Sequence, residues 1–222
     1  MKNLTDKYSI QAVEKFLESG QERPLVVTDC DDTLWGLLER ACEILGIDFE
    51  VAQTEFDLEK TALADAEREA LIALFADPRL FEDMKFFPGV ERILELEEVG
   101  AEVKVQSNAY SEVVGESKRR QLLSAIPGLR PEQIEINVIS HANAGRKKFS
   151  PQTTILMDDS PNVINMSSAL INLVPSRLQR VRTEHGQTLM AGKPVLLLPD
   201  FEAMQREAYA ICVAIQEARG CF

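Results

Sequence analysis

The sequence predicts an α/β protein: a parallel sheet covered by helices on both faces, with a helical insertion early in the chain. Three observations carry that expectation. Short apolar, β-branched runs alternate with stretches of helical period along the chain. Three of those runs end in polar or acidic residues: Asp29 and Asp31, Ser107-Asn108, and Asp158-Asp159. Between the first run and the second lie roughly fifty residues with helical period alone, too many for a simple strand-to-helix connection.

The elements follow in order. Tyr8 to Ser19 carries apolar residues at Ile10, Val13, Phe16 and Leu17, the spacing of a helix packed on a core. Leu25 to Thr28 is the first strand, and it stops abruptly in Asp29-Cys30-Asp31-Asp32. Leu37–Leu45, Val51–Leu63 and Ala66–Phe75 have helical period, and Asp48 suits an N-cap for the second of these. Phe87-Pro88-Gly89-Val90 marks the return to the main body. Glu91 to Val99 is expected as a helix stopped at Gly100, then Glu102 to Gln106 as a strand, and Val113 to Ala125 as a helix closed by Pro127-Gly128. Further strands are expected at Ile134 to Ile139, Thr154 to Met157 and Val195 to Leu198, with a terminal helix from Glu202 to Ala218. Ser176 to Gly192 is polar and without period, and is expected as a loop. The pattern is a Rossmann-like sheet. Residues 1–35 and 87–222 would form the α/β core, and 36–86 an inserted helical cap.

Composition narrows the function. The chain has 222 residues, 45% hydrophobic and 27% charged, as in soluble globular proteins. A net charge of -12 argues against a nucleic-acid polymer as partner, because such surfaces need clustered Lys and Arg. No stretch is long and apolar enough to span a membrane, and the first twenty residues lack the apolar centre of a secretory signal. Cys30, Cys42, Cys212 and Cys221 are scattered, with no metal-binding or redox spacing. A reducing, cytoplasmic setting is expected.

In a parallel α/β sheet, ligands bind at the carboxyl ends of the strands. Folding would therefore gather Asp29, Asp31, Ser107, Asn108, Asp158 and Asp159 at one edge. Such carboxylates suit a hard cation that prefers oxygen ligands, Mg²⁺ above all. A carboxylate, a hydroxyl and an ammonium also suit phosphoryl transfer, in which an Asp attacks phosphorus and the others stabilise the equatorial oxygens. Gly145-Arg146-Lys147-Lys148 lies just before the fourth strand and can supply the ammonium.

The ordered set resembles the haloacid dehalogenase (HAD) superfamily of phosphohydrolases. Asp29-Cys30-Asp31-Asp32-Thr33 matches the DxDx[TV] signature, Ser107 falls on the second motif, and Asp158-Asp159 on the acidic fourth motif. The resemblance covers nearly the whole chain, with the helical insertion in the place of a cap. It implies Asp29 as nucleophile and Asp31 as the acid that protonates the leaving oxygen and then activates water. It implies Mg²⁺ held by Asp29, the backbone carbonyl of Asp31, and Asp158, with Asp159 a second ligand or the partner of the lysine. The lysine is Lys148 by spacing, with Lys147 as the alternative. Its closeness to the acidic pair resembles the 5'(3')-deoxyribonucleotidase branch, which implies a small phosphorylated substrate with a nucleotide favoured. Sugar phosphates and phosphoglycolate are the alternative substrates. Oligomeric state is left open.

Other residues have plainer expectations. His141 and His185 lack ligand partners at recognisable spacing. Cys30 is expected to point into the sheet, and Trp35 either to pack at the hinge or to stack on a ligand ring. A receiver-type phosphoacceptor domain has a similar inventory in a different order: its acceptor Asp follows a middle strand, and no long insertion follows the first strand.

Overall fold

The structure is a computed structural model and describes residues 4–55, 58–139 and 152–221. Six parallel strands form one sheet in the order β3-β2-β1-β4-β5-β6. They are β1 (Leu25–Asp29), β2 (Glu102–Ala109), β3 (Ile134–Val138), β4 (Thr153–Met157), β5 (Ile171–Pro175) and β6 (Val195–Leu198). The helices are α1 (Lys7–Ser19), α2 (Leu37–Leu45), α3 (Phe49–Ala52), α4 (Asp65–Phe75), α5 (Glu95–Glu98), α6 (Glu112–Ala125), α7 (Pro161–Met166), α8 (Glu184–Met190) and α9 (Phe201–Ala218).

The two faces of the sheet bury alternate residues, as the pleat requires. Val26, Ile155 and Leu173 share one core with Phe16 of α1 and Ile211 and Ile215 of α9. Leu25, Val27, Leu156 and Val174 share a second core with Val163 and Ile164 of α7 and Met190 of α8. Every residue of β1 is buried, which accounts for its continuous apolar run. α1 is started by Asp6, whose carboxylate accepts from the backbone N–H of Tyr8 at 2.7 Å, a cap worth about 1 kcal/mol.

The strand order places a topological switch between β1 and β4, where ligands bind in open α/β sheets. Register then sets the depth of each acid. Asp29 pairs with Gln106 on one side, so Ser107 lies one step further along β2. Thr28 pairs with Met157 on the other, so Asp29 and Asp158 reach the edge at the same level.

Residues 36–86 lie between β1 and β2 and hold three α-helices and two 3-10 turns among the described residues. The two crossings into and out of this segment are hydrogen-bonded to each other: Phe87 N–H donates to the Leu34 carbonyl at 2.8 Å, and Trp35 forms an antiparallel bridge with Phe86. Asp48 caps α3 as expected, accepting from Glu50 N–H at 2.9 Å.

The structure departs from the sequence expectations in five places. β5 was not expected at all. Ser176 to Gly192, expected as a loop, contains a 3-10 turn at Gln179–Val181 and helix α8. The helix expected over Val51–Leu63 is instead α3 and a separate 3-10 turn at Leu58–Lys60, and that expected over Glu91–Val99 is a 3-10 turn and the short α5. Strand β2 runs past Gln106 to Ala109, so Ser107 and Asn108 lie within the strand rather than just past it.

Candidate active site

The chain curls sharply as it leaves β1. The Cys30 carbonyl accepts from the N–H of Leu34 at 2.8 Å, and from those of Thr33 and Trp35 at 3.3 Å. Asp32 takes a left-handed φ of 57° to allow the turn. Aspartate is among the few non-glycine types that accept that region readily. The curl lets Asp29 and Asp31 reach the same edge.

Asp29, Asp158 and Asp159 form one acidic cluster. Each offers a carboxylate oxygen, and these lie within 4.8 Å of one another. All three residues are buried. Asp158 accepts from Ser160 N–H at 2.9 Å, which turns the chain into α7. Buried carboxylates this close repel strongly unless cations offset them. The donors are all oxygen, so the cluster fits a hard divalent cation such as Mg²⁺.

Asp31 stands beside the cluster with a side chain 25% exposed. Three donors converge on it. The Trp35 indole N–H donates to Oδ1 at 2.9 Å. The Ser107 hydroxyl lies 3.4 Å from Oδ2. The Lys118 ammonium pairs with the same Oδ2. Lys118 also donates to Ser107 Oγ at 3.0 Å and to the Asn108 carbonyl at 2.7 Å. These three acceptors match the three N–H donors of an ammonium, which is how α6 can carry a lysine that is only 2% exposed. On its far side the ammonium lies 4.9 Å from the centroid of Phe81, from the inserted segment. Tyr110 follows closely in the chain. Burial, and then the Asp31 charge, push its phenol above the usual range.

A second cation sits on the opposite side. Arg180 bridges Asp159 and Asp32, pairing with the first and reaching Oδ2 of the second at 2.9 Å. Burial alone would lower this guanidinium, but Asp159 and Asp32 outweigh it and hold it above its ordinary value. Burial raises the Asp32 carboxyl, Arg180 pulls it down, and Asp159 raises it again, for a net upward shift. Arg177 donates to the Asp32 carbonyl and lies 4.0 Å from the ring centroid of Phe87.

Of the expected site residues, Asp29, Asp31, Ser107, Asn108, Asp158 and Asp159 do converge on this edge. Lys147, Lys148 and His141 lie outside the described residues. Lys118, Arg177 and Arg180 were not expected. Trp35 is fully buried and packs edge-on against Phe86, ring centroids 5.0 Å apart; packing, not an open ring face, is its place. Cys30 is also fully buried, as expected.

No protein-family model matches the chain, and no curated protein matches it. Solved structures do. A Bacteroides vulgatus protein described as a candidate beta-phosphoglucomutase is similar over 94% of this chain and 99% of its own, at 12% identity and a TM-score of 0.50. A haloacid dehalogenase-like family hydrolase from Xanthomonas campestris is similar over 89% of this chain and 100% of its own, at 14% identity and a TM-score of 0.49. At this identity the first likeness is one of fold: a parallel α/β sheet shared over nearly the whole chain.

Proposed function

We propose that this chain is a HAD-type phosphohydrolase that cleaves a small phosphomonoester through an aspartyl-phosphate on Asp29. The observation that carries the reading is the convergence of Asp29, Asp31, Ser107 and Asp158 from three separate strand ends, in the arrangement the sequence motifs imply.

In this reading Asp29 attacks phosphorus and the leaving oxygen departs with a proton from Asp31. Asp31 then takes a proton from water as that water attacks the phosphoryl group on Asp29, breaking its bond to the carboxylate oxygen and releasing phosphate and free Asp29. Ser107 and Lys118 donate to the phosphoryl oxygens, and Lys118 exchanges its bond to Asp31 for one to the substrate. That exchange frees Asp31 to carry its proton. Lys148, implied by the resemblance, would add a second ammonium. Asp29, Asp158 and the Asp31 carbonyl would hold Mg²⁺, which when bound offsets phosphate charge against the acidic cluster. The inserted segment sets the buried Phe81 ring against the Lys118 ammonium and would act as a cap that excludes water and reads the leaving group. A nucleotide is the favoured substrate, resting on the motif resemblance, and a sugar phosphate is the second class.

The test is turnover of a panel of nucleotides, sugar phosphates and p-nitrophenyl phosphate with Mg²⁺ and with EDTA. Turnover is expected only with Mg²⁺, and Asp29→Asn is expected to abolish both it and the phosphoryl group trapped on the quenched protein. Full turnover in metal-free buffer, or a phosphoryl group trapped on Asp158, overturns the assignment.

A further inference from the structure

The three acids of the cluster are not equivalent. Asp159 has both carboxylate oxygens engaged by side chains: Arg180 pairs with Oδ2, and the Thr33 hydroxyl lies 3.4 Å from Oδ1. Asp158 is held differently. Its Oδ1 accepts a backbone N–H from Ser160, a bond that a carboxylate keeps while its other oxygen takes a cation.

Arg180 is itself fixed at several points. The nitrogen that pairs with Asp159 also donates to Asp32 Oδ2. Asp32 Oδ1 is in turn held by the N–H of Leu38, at 3.0 Å, in the first turn of α2. The backbone N–H of Arg180 donates to the Gln53 carbonyl at 3.1 Å, and the Gln179 N–H to the Gln53 side chain at the same distance. Arg180, Asp32 and Asp159 are all under a tenth exposed. A guanidinium cannot deprotonate to escape, and its planar fork resists reorientation. The pair therefore stays made whether or not a cation arrives.

We propose that Arg180 is a positioning residue that retains Asp159 as its own ion-pair partner, so that a divalent cation is ligated directly by Asp29 and Asp158 and only indirectly by Asp159. This rests on the metal centre proposed above. Asp159 then contributes negative charge and a fixed acceptor for metal-bound water, while its oxygens stay outside the ion's own shell. Outer partners of this kind tune a metal site without ligating it. Because Arg180 also touches Asp32 and Gln53, it ties that arrangement to the start of α2 and to the turn after α3.

The experiment uses Mn²⁺ as the probe ion and reads two quantities independent of turnover: its dissociation constant, and the number of Mn²⁺-bound waters from water-proton relaxation. Asp158→Ala removes a direct ligand, so the bound ion gains a water and binds on the order of 100-fold more weakly. Asp159→Ala removes an outer partner, so the water count is unchanged and binding weakens about 10-fold. Arg180→Met releases Asp159 to the ion, which then loses one water, and the double variant Arg180→Met/Asp159→Ala regains it. Arg180→Lys keeps a cation there and keeps the wild-type water count. A gained water in Asp159→Ala makes Asp159 a direct ligand and overturns the proposal, and that comparison stands even where Arg180→Met does not fold. An unchanged water count in a folded Arg180→Met overturns it as well. A wild-type chain that binds no Mn²⁺ at all is a distinct result, which removes the metal centre and this proposal together.

Discussion

The acidic cluster has a cation on each side, and the two sides are built for different purposes. Lys118 meets Asp31, whose side chain is 25% exposed, and its other partners are a hydroxyl and a carbonyl. Arg180 meets two carboxylates, Asp32 and Asp159, whose side chains are 9% and 3% exposed. The lysine side can exchange partners with a ligand, because Asp31 is partly solvated and an ammonium is a compact point charge with rotatable donors. The arginine side cannot, because breaking it leaves charge buried without compensation. One side is suited to chemistry and the other to holding the loop after β1 against the loop after β4.

The largest expected effect lies on the exposed side. Asp31→Asn leaves one amide oxygen where the Trp35 indole uses Oδ1 and Lys118 uses Oδ2, so one of the two bonds is lost, and it carries no titratable proton. Its turnover should fall by about 10²–10⁴-fold, the usual range for losing a positioned acid or base. The urea midpoint should fall less than for Arg180→Met, since Asp31 is partly solvated and Lys118 keeps Ser107 Oγ and the Asn108 carbonyl as acceptors. Steady-state kinetics and urea unfolding on the same sample check both halves. A variant that keeps its turnover, or that loses as much stability as Arg180→Met, would erase the distinction between the two sides.

Next comes the buried side, read by stability. Arg180→Met should cost about 3–5 kcal/mol of unfolding free energy, the range for breaking a buried ion pair by removing one partner. Adding Asp159→Asn should recover part of that loss, because it removes one of the two carboxylates left without a cation. The non-additivity is the informative quantity. Two losses that simply summed would place Arg180 outside any shared network with Asp159.

The same contrast explains what could be read from the sequence. Asp29 and Asp31 were legible because strand, turn and acids are contiguous, and the long apolar run marks a strand buried on both faces. Ser107 and Asp158-Asp159 were legible because parallel topology sends strand ends to one edge. Lys118 was not, since Ser117-Lys118-Arg119-Arg120 has the look of a solvated face. A signal was nevertheless present. Lys118 lies four residues after Val114 and four before Leu122, on the buried stripe of α6, where a lysine needs a partner. Arg180 had no such signal. It follows β5, whose run Ile171-Asn172-Leu173-Val174-Pro175 is diluted by Asn and Pro. With that strand unread, the segment behind it had no reason to return to the sheet edge.

The smallest expected effect reports the charge of Asp31 directly. Tyr110 is held above the ordinary phenol range first by burial and then by the negative charge of Asp31. A raised folded-state value means Tyr110 contributes stability that is fully present below the unfolded phenol value, near pH 10, and lost as pH rises through the folded value. Asp31→Asn removes only the second cause. The Tyr110 ionisation should therefore move down toward the ordinary value without reaching it, because burial remains. The measurement is the phenolate absorbance titrated in a Tyr8→Phe/Tyr209→Phe background, where Tyr110 is the one remaining tyrosine. Asp159→Asn is the control from the arginine side: it also removes a carboxylate, but one paired with Arg180, and it should leave the titration in place. A midpoint that stays fixed in Asp31→Asn would mean that the Asp31 charge does not reach Tyr110, and one that moves equally in both variants would mean that the two sides are not electrostatically distinct.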